Sequence, residues 1–244
     1  MQNTKIKILH EDENILVIDK PAGISVYSEN PHEITIIENL IRHYPDLQGA
    51  GSYPRYGIVH RLDKETSGIL TIARNNQTLT WIQKQFKESL AEKKYIALVV
   101  GVMEIEKGEI KTLIGRSKKD FRKQKIFLPH EPEAEGKREA ITEYKILKKY
   151  SAKGGSASGG KNYTLVEAIP KTGRTHQIRA HFAYIHHSVA GDKKYGSKNQ
   201  IIPEGLQRHF LHANYLKIKL PDNQIMEFQS ELPEDLKIVL NKLD

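Results

Sequence analysis

Residues 57–74, GIVHRLDKETSGILTIAR, gather the groups best suited to chemistry. An apolar entry, Ile58 and Val59, runs into His60, Arg61, Leu62, Asp63 and Lys64. Thr66, Ser67 and Gly68 then lead into a second apolar run. A charged loop between apolar elements, closed by glycine, is where catalytic groups tend to sit. Asp63 is the candidate, because an ionised carboxylate can take a proton or attack an electrophilic carbon. By itself it also fits a turn or cap residue paired with Lys64 or Arg61. Residues 173–181, GRTHQIRAH, place Arg174, Arg179, His176 and His181 on a loop-to-helix element. An arginine beside a carboxylate holds it ionised, lowering its pKa by roughly one to three units.

A third cluster, residues 116–125 (RSKKDFRKQK), holds six basic side chains and one acid around Phe121. Arg116, Lys118, Lys119, Arg122 and Lys123 suit phosphate neutralisation, and the interleaved aromatic suits base stacking. A solvated charged face is the plainer alternative. Two other patterns carry less. Gly155, Gly160 and Lys161 have the spacing of a phosphate-binding loop, but Asn162 replaces the Ser or Thr that would hold magnesium, and no buried strand precedes them. Among eleven histidines, His176, His181, His186 and His187 fall in one segment. Positions 176 and 181 face different ways on a helix and there is no HExxH pairing, so no metal is expected.

The elements that must position these groups follow from periodicity. Residues 6–9, 15–19, 69–73 and 94–101 read as strands, as do EIKTLIG, QKIFL, EAITEYKIL and NYTLVEAI between positions 109 and 168, and residues 209–220. Residues 34–44, 77–88, 174–186 and 233–243 read as helices from apolar side chains three and four apart. Strands outnumber helices without strict alternation, so the class is α+β. The Gly- and Ser-rich residues 151–160 read as a long hairpin loop, not a boundary. A single domain over residues 1–244 is expected.

Composition limits the rest. With 38% hydrophobic residues the 244-residue chain can bury a sizeable core. No cysteine is present, which excludes disulfides and thiolate chemistry and fits a reducing compartment. The first residues lack a secretory signal and no window approaches the roughly 20 apolar residues of a membrane span, so a cytoplasmic location is expected. A net charge of +8 favours a polyanionic partner, nucleic acid first.

HRLDKETSGIL at residues 60–70, with DKPAG upstream, KYIALVVG after it and TGRTHQIRAHFAYIHHSVAGDKKYG downstream, resembles the RluA-type family of RNA pseudouridine synthases. The order and spacing of four blocks agree over roughly residues 10–236. The resemblance implies the pseudouridine synthase fold: a mixed, largely antiparallel sheet flanked by helices, with a central catalytic cleft. It implies that Asp63 attacks or assists the departing uridine, that Tyr95 serves as base or proton relay at uracil C5, and that Arg179 pairs with the aspartate. Arg61 would fill the stack left by the extruded uridine, with His60, Arg174 and His176 among the RNA contacts. Residues 19–23 are expected to be architectural. The small RNA-binding module of many relatives is not expected here, because DKPAG starts within the first twenty residues.

The reaction breaks N1–C1′, rotates the base and joins C5 to C1′, so it needs no cofactor, metal or ATP. Ribosomal or transfer RNA is the expected partner, with no membrane and a monomeric chain. A non-catalytic RNA-binding or chaperone protein on the same fold is the alternative, although pure binding needs none of Asp63, Tyr95 and Arg179. A hydrolase using Asp63 as base would release free uracil and change the RNA mass.

Overall fold

A computed structural model describes residues 6–150, 162–200 and 202–244. The loop expected at residues 151–160 lies outside them. The chain divides into two compact units, Met1–Lys93 with Ala213–Glu231, and Lys94–His212 with Leu232–Asp244.

In the first unit, ILVIDK forms β2 (Ile15–Lys20) and SGILTIA forms β3 (Ser67–Ala73). Both are apolar on both faces because both faces are covered. Successive strand side chains alternate sides. Ile15, Val17, Ile69 and Ala73 therefore enter one cluster, while Leu16, Ile18, Leu70 and Ile72 enter another. The strand order is β1 (Lys7–Glu11), β2, β3, then β9 (Leu211–Lys219), with β10 (Ile225–Gln229) paired to β9.

Each cluster has its own helix. Ile36, Ile37 and Leu40 of α1 (Ile36–Ile41) close one. Leu79 and Ile82 of α2 (Asn76–Lys87) close the other. α1 starts at a capping box in which Thr35 Oγ1 accepts from Glu38 N–H and the Glu38 carboxylate accepts from Thr35 N–H. α2 starts where Asn75 accepts from Thr78 N–H at 2.9 Å. Buried Gln85 fastens α2 to β9, its amide donating to Lys219 C=O and accepting from Lys219 N–H.

In the second unit, the order is β4 (Glu92–Val100), β8 (Tyr163–Pro170), β7 (Arg138–Tyr150), β5 (Lys107–Arg116) and β6 (Gln124–Phe127). Alternation again splits the apolar side chains. Ala97, Val99, Val166 and Ala168 pack under Ile178 and Phe182 of α3 (Gln177–Tyr184). Leu98 and Tyr163 pack under Leu236 and Val239 of α4 (Glu234–Asn241). The class is α+β, as expected, with antiparallel pairing in every strand pair for which a register is described.

Three expectations are corrected. β10 was not foreseen, because IMEFQ is short and leaves Ile225 exposed. α3 spans Gln177–Tyr184 instead of residues 174–186, because His176 at φ +54° and His186 at φ +65° occupy left-handed conformations at its two ends. α1 starts two residues later than expected, since Thr35 is its cap and Ile34 lies outside.

His181 on α3 is fully buried, its two ring nitrogens 3.0 Å from Thr112 Oγ1 and 2.9 Å from Thr142 Oγ1. Burial lowers its pKa to about 4, so it is neutral in the fold. In the unfolded chain it binds a proton near pH 6.5. Its contribution is complete above that value and is lost as pH falls towards 4. Urea unfolding at pH 7 and pH 5 is expected to show about 2 kcal/mol of acid destabilisation from this group, absent in His181→Gln. An equal pH dependence in both proteins would contradict the assignment.

Candidate active site

Asp63 lies in the first unit, on the loop between Ile58 and β3, and is half-buried. The loop is fixed at both ends. Gly57, at φ +65°, lets the chain pass so close to β3 that a side chain there would strike the Ala73 carbonyl. Its own C=O accepts from Ala73 N–H at 2.8 Å. His60 is the next fastening. Its Nε2 accepts from Thr71 N–H at 3.1 Å and its ring stacks on Phe86 with centroids 4.5 Å apart. Burial, followed by the nearby Lys93 charge, lowers its pKa to about 3, which keeps Nε2 free to accept. Leu62 is buried, and Thr66 N–H donates to the Asp63 carbonyl at 3.0 Å.

DKPAG supplies the far anchor. Lys20 has no exposed surface, and its ammonium donates to Pro21 C=O at 2.7 Å and to Lys64 C=O at 3.1 Å. Gly23 N–H donates to the same Lys64 carbonyl at 2.9 Å. Asp63 therefore sits between a pinned residue 60 and a pinned residue 64. At the loop's exit, Gly68 approaches β9 so closely that a Cβ would collide with the Ala213 backbone. Arg61 is exposed and points over Tyr27.

Tyr95 and Arg179 lie in the second unit. Tyr95 is half-buried on β4 opposite Ala168 of β8 and packs against the cluster under α3. Arg179 is 4% exposed on α3, and its guanidinium grips Asp192 through Nε at 2.7 Å and Nη2 at 2.9 Å. This is the two-pronged geometry of a strong arginine–carboxylate pair. Lys194 N–H and Tyr195 N–H also donate to Asp192 Oδ1, at 2.8 and 3.0 Å. Burial works against the Asp192 charge. The Arg179 hydrogen bonds and charge, with the two backbone donors, overcome it and hold the carboxyl below its usual range.

Tyr195 ties this cluster together. Its ring lies 5.3 Å beneath the Arg179 guanidinium, and its hydroxyl accepts from Gln124 N–H at 2.7 Å and meets His176 Nδ1 at 2.9 Å. Gln124 faces Arg116 across the β5–β6 pair. Arg179, His176 and the base of the basic hairpin thus share one tyrosine. Asp192 and Tyr195 were not singled out in the sequence, because AGDKKYG reads as an ordinary polar turn.

The remaining basic residues are placed as follows. Arg174 donates to Glu139 C=O at 2.9 Å beside Arg138. Lys118 pairs with Glu133 at 3.0 Å and Arg122 with Asp120 at 2.9 Å. Lys123 lies near enough to Asp120 for its charge to help lower that carboxyl's pKa, and Phe121 is 73% exposed beside it. No group of three or more metal-binding side chains occurs among the described residues, and no described helix is long and apolar enough to cross a membrane.

A family model described as RNA pseudouridylate synthase matches residues 14–184, a span that includes Asp63, Tyr95 and Arg179. The chain belongs to the RNA pseudouridylate synthase family. An uncharacterized RNA pseudouridine synthase of Aquifex aeolicus is 39% identical over 100% of the chain and 74% of that protein. Ribosomal large subunit pseudouridine synthase D of Pseudomonas aeruginosa is 33% identical over 99% of the chain and 73% of its own length. Human RNA pseudouridylate synthase domain containing 1 superposes with a TM-score of 0.77 at 25% identity, over 98% of the chain and 89% of that structure. The enzyme is thus an RluA-type isomerase of RNA uridine with the pseudouridine synthase fold.

In this synthase the Lys20 anchor is open to direct test. Lys20→Met keeps the length of the side chain and removes the ammonium that donates to the Pro21 and Lys64 carbonyls. Since misplacement of a reacting group by about 1 Å can cost about 100-fold, kcat is expected to fall by one to two orders of magnitude. Stability should change less, because a buried ammonium is removed along with its bonds. Single-turnover rates and thermal unfolding of the two proteins check this. Unchanged turnover would show that the loop holds without Lys20.

Proposed function

We propose that the synthase isomerises one or a few specific uridines of ribosomal RNA, with Asp63, Tyr95 and Arg179 as its catalytic residues. The observation that carries this reading is the Asp63 loop. A carboxylate on a charged segment is fixed on one side by His60 and on the other by Lys20 and Gly23, and rigid placement of the reacting group supplies much of catalysis. The ribosomal substrate is supported by the names of the Pseudomonas aeruginosa and Borreliella burgdorferi relatives, both ribosomal large subunit pseudouridine synthases.

In this reading Asp63 engages the uridine as N1–C1′ breaks. The base turns, C5 bonds to C1′, and Tyr95 removes or relays the proton that leaves C5 while N1 gains one. Atoms and charge balance with no oxidant. Arg179 supports the anionic state of the aspartate. Extruding a uridine costs a few kcal/mol, which filling of the gap by Arg61 and phosphate contacts offset. Arg174, His176 and the hairpin residues Arg116, Lys118, Lys119, Arg122 and Lys123 are the proposed RNA contacts. His60 acts through its loop, with its ring turned to Thr71 and Phe86.

A pseudouridine map of ribosomal and transfer RNA, compared between cells with the wild-type chain and cells with Asp63→Ala, tests the proposal. Loss of discrete ribosomal sites supports it. Loss only in transfer RNA corrects the substrate. An unchanged map with abundant folded variant leaves RNA binding without catalysis as the better account, and release of free uracil identifies a hydrolase.

A further inference from the structure

The first unit holds a cluster of which these roles use only Arg61. Tyr27, half-buried beside the α1 cluster, carries two guanidiniums on one ring: Arg55 at 4.9 Å and Arg61 at 5.4 Å from its centroid. Its hydroxyl also accepts from Arg61 Nη1 at 3.4 Å. Arg74, Arg122, Arg179 and Arg208 each pair with a carboxylate. Neither Arg55 nor Arg61 does so among the described residues, and both are exposed. Two like charges drawn to one ring, neither in an ion pair among the described residues, suit an anion.

A cavity of about 450 Å³ adjoins this cluster through the same loops. Tyr53, Pro54 and Tyr56, on either side of Arg55 in sequence, line it together with Ser28, the neighbour of Tyr27. Tyr53 is 57% exposed and Ile34, also on the wall, is 51% exposed. Arg42, Gln48 and Glu38 add polar groups to the lining. The volume falls in the range of small-ligand sites, roughly 300–1,000 Å³. An exposed aromatic with hydrogen-bonding groups nearby and an ordered cation next to it suits a nucleotide: a stacking face, an edge to read and a phosphate to neutralise.

We propose that this cavity and the Tyr27 cradle form a second RNA subsite that takes one unpaired nucleotide of the substrate, with its phosphate against Arg55 and its base on Tyr53. Tyr27 is then a positioning residue that holds Arg55 beside Arg61, so that seating the nucleotide and filling the gap left by the target uridine draw on one support. The subsite rests on the reading of the chain as an enzyme acting on RNA, and on none of the catalytic assignments.

The test is direct binding, followed by fluorescence anisotropy, of a labelled RNA hairpin with a single-stranded loop and of a fully paired duplex of the same length. Tyr53→Ala is expected to weaken hairpin binding on the order of tenfold and to leave duplex binding unchanged. Arg55→Ala should weaken hairpin binding and reduce its salt dependence by about one phosphate contact. Tyr27→Phe, which keeps the ring, should bind as wild type, whereas Tyr27→Ala should resemble Arg55→Ala. Hairpin binding unaltered by Tyr53→Ala and Arg55→Ala, or equal losses on hairpin and duplex, would overturn the subsite. Asp63→Asn separates the two readings. An unchanged pseudouridine map with these binding losses intact would remove the catalytic reading and leave the subsite standing, and the opposite pair of results would do the reverse.

Discussion

Asp63→Asn is expected to abolish pseudouridine formation while the protein stays folded. The amide has nearly the shape of the carboxylate, and the backbone anchors of the loop do not depend on it. Thr66 N–H still meets the residue 63 carbonyl, and Lys20 and Gly23 still hold the residue 64 carbonyl. The change removes the negative charge and the basic lone pair, which the proposed step at the sugar needs. Losing a nucleophile or general base costs roughly 10²- to 10⁴-fold or more. Single-turnover assays on ribosomal RNA lacking the modification should show a fall of at least about 10³-fold. Thermal unfolding should stay close to wild type. A variant that still isomerises uridine at a comparable rate would take Asp63 out of the chemistry.

The second large effect falls on Asp192. Asp192→Ala leaves the Arg179 guanidinium, only 4% exposed, without its bidentate partner, and frees the Lys194 and Tyr195 N–H groups. Removing one side of a buried ion pair costs about 3–5 kcal/mol. For a chain of this size that is a fall in Tm of about 6–20 °C. Activity should fall as well, because Arg179 loses the contact that orients it. Replacing both partners, Arg179→Met with Asp192→Leu, should recover part of the stability, since both charges of this pair are then removed together. It should not recover turnover if Arg179 acts in the reaction. Recovery of both would reduce Arg179 to a structural residue.

These residues differ in how openly the sequence displayed them. The Asp63 loop stood out because its charges interrupt two apolar runs, and those runs are β3 and the segment bridged to it at Ile58 and Ile72. α2 was legible from Leu79, Ile82 and Phe86 at three- and four-residue spacing, and its Asn75 cap agrees with that pattern. Asp192 was hidden because its partner is 13 positions away and a lone aspartate after glycine looks like a turn former. Lys20 was hidden for a related reason. A lysine before proline reads as solvated, and the Pro21 carbonyl with the distant Lys64 carbonyl helps make its burial tolerable. The left-handed His176 could not be read from hydrophobic periodicity, because nothing in that periodicity records φ.

The grip on residue 64 has one more consequence. Both donors reach a main-chain oxygen, and the lysine side chain at that position extends outward to Glu33 at 3.6 Å, an exposed pair of little energetic weight. The identity of residue 64 is therefore decoupled from the location of its neighbour. Charge at that exposed position can be redrawn, towards acidic, neutral or basic, while the Asp63 carboxylate proposed for the reaction keeps its coordinates. Selection for a different RNA could use that position as a dial, with catalysis left out of the trade.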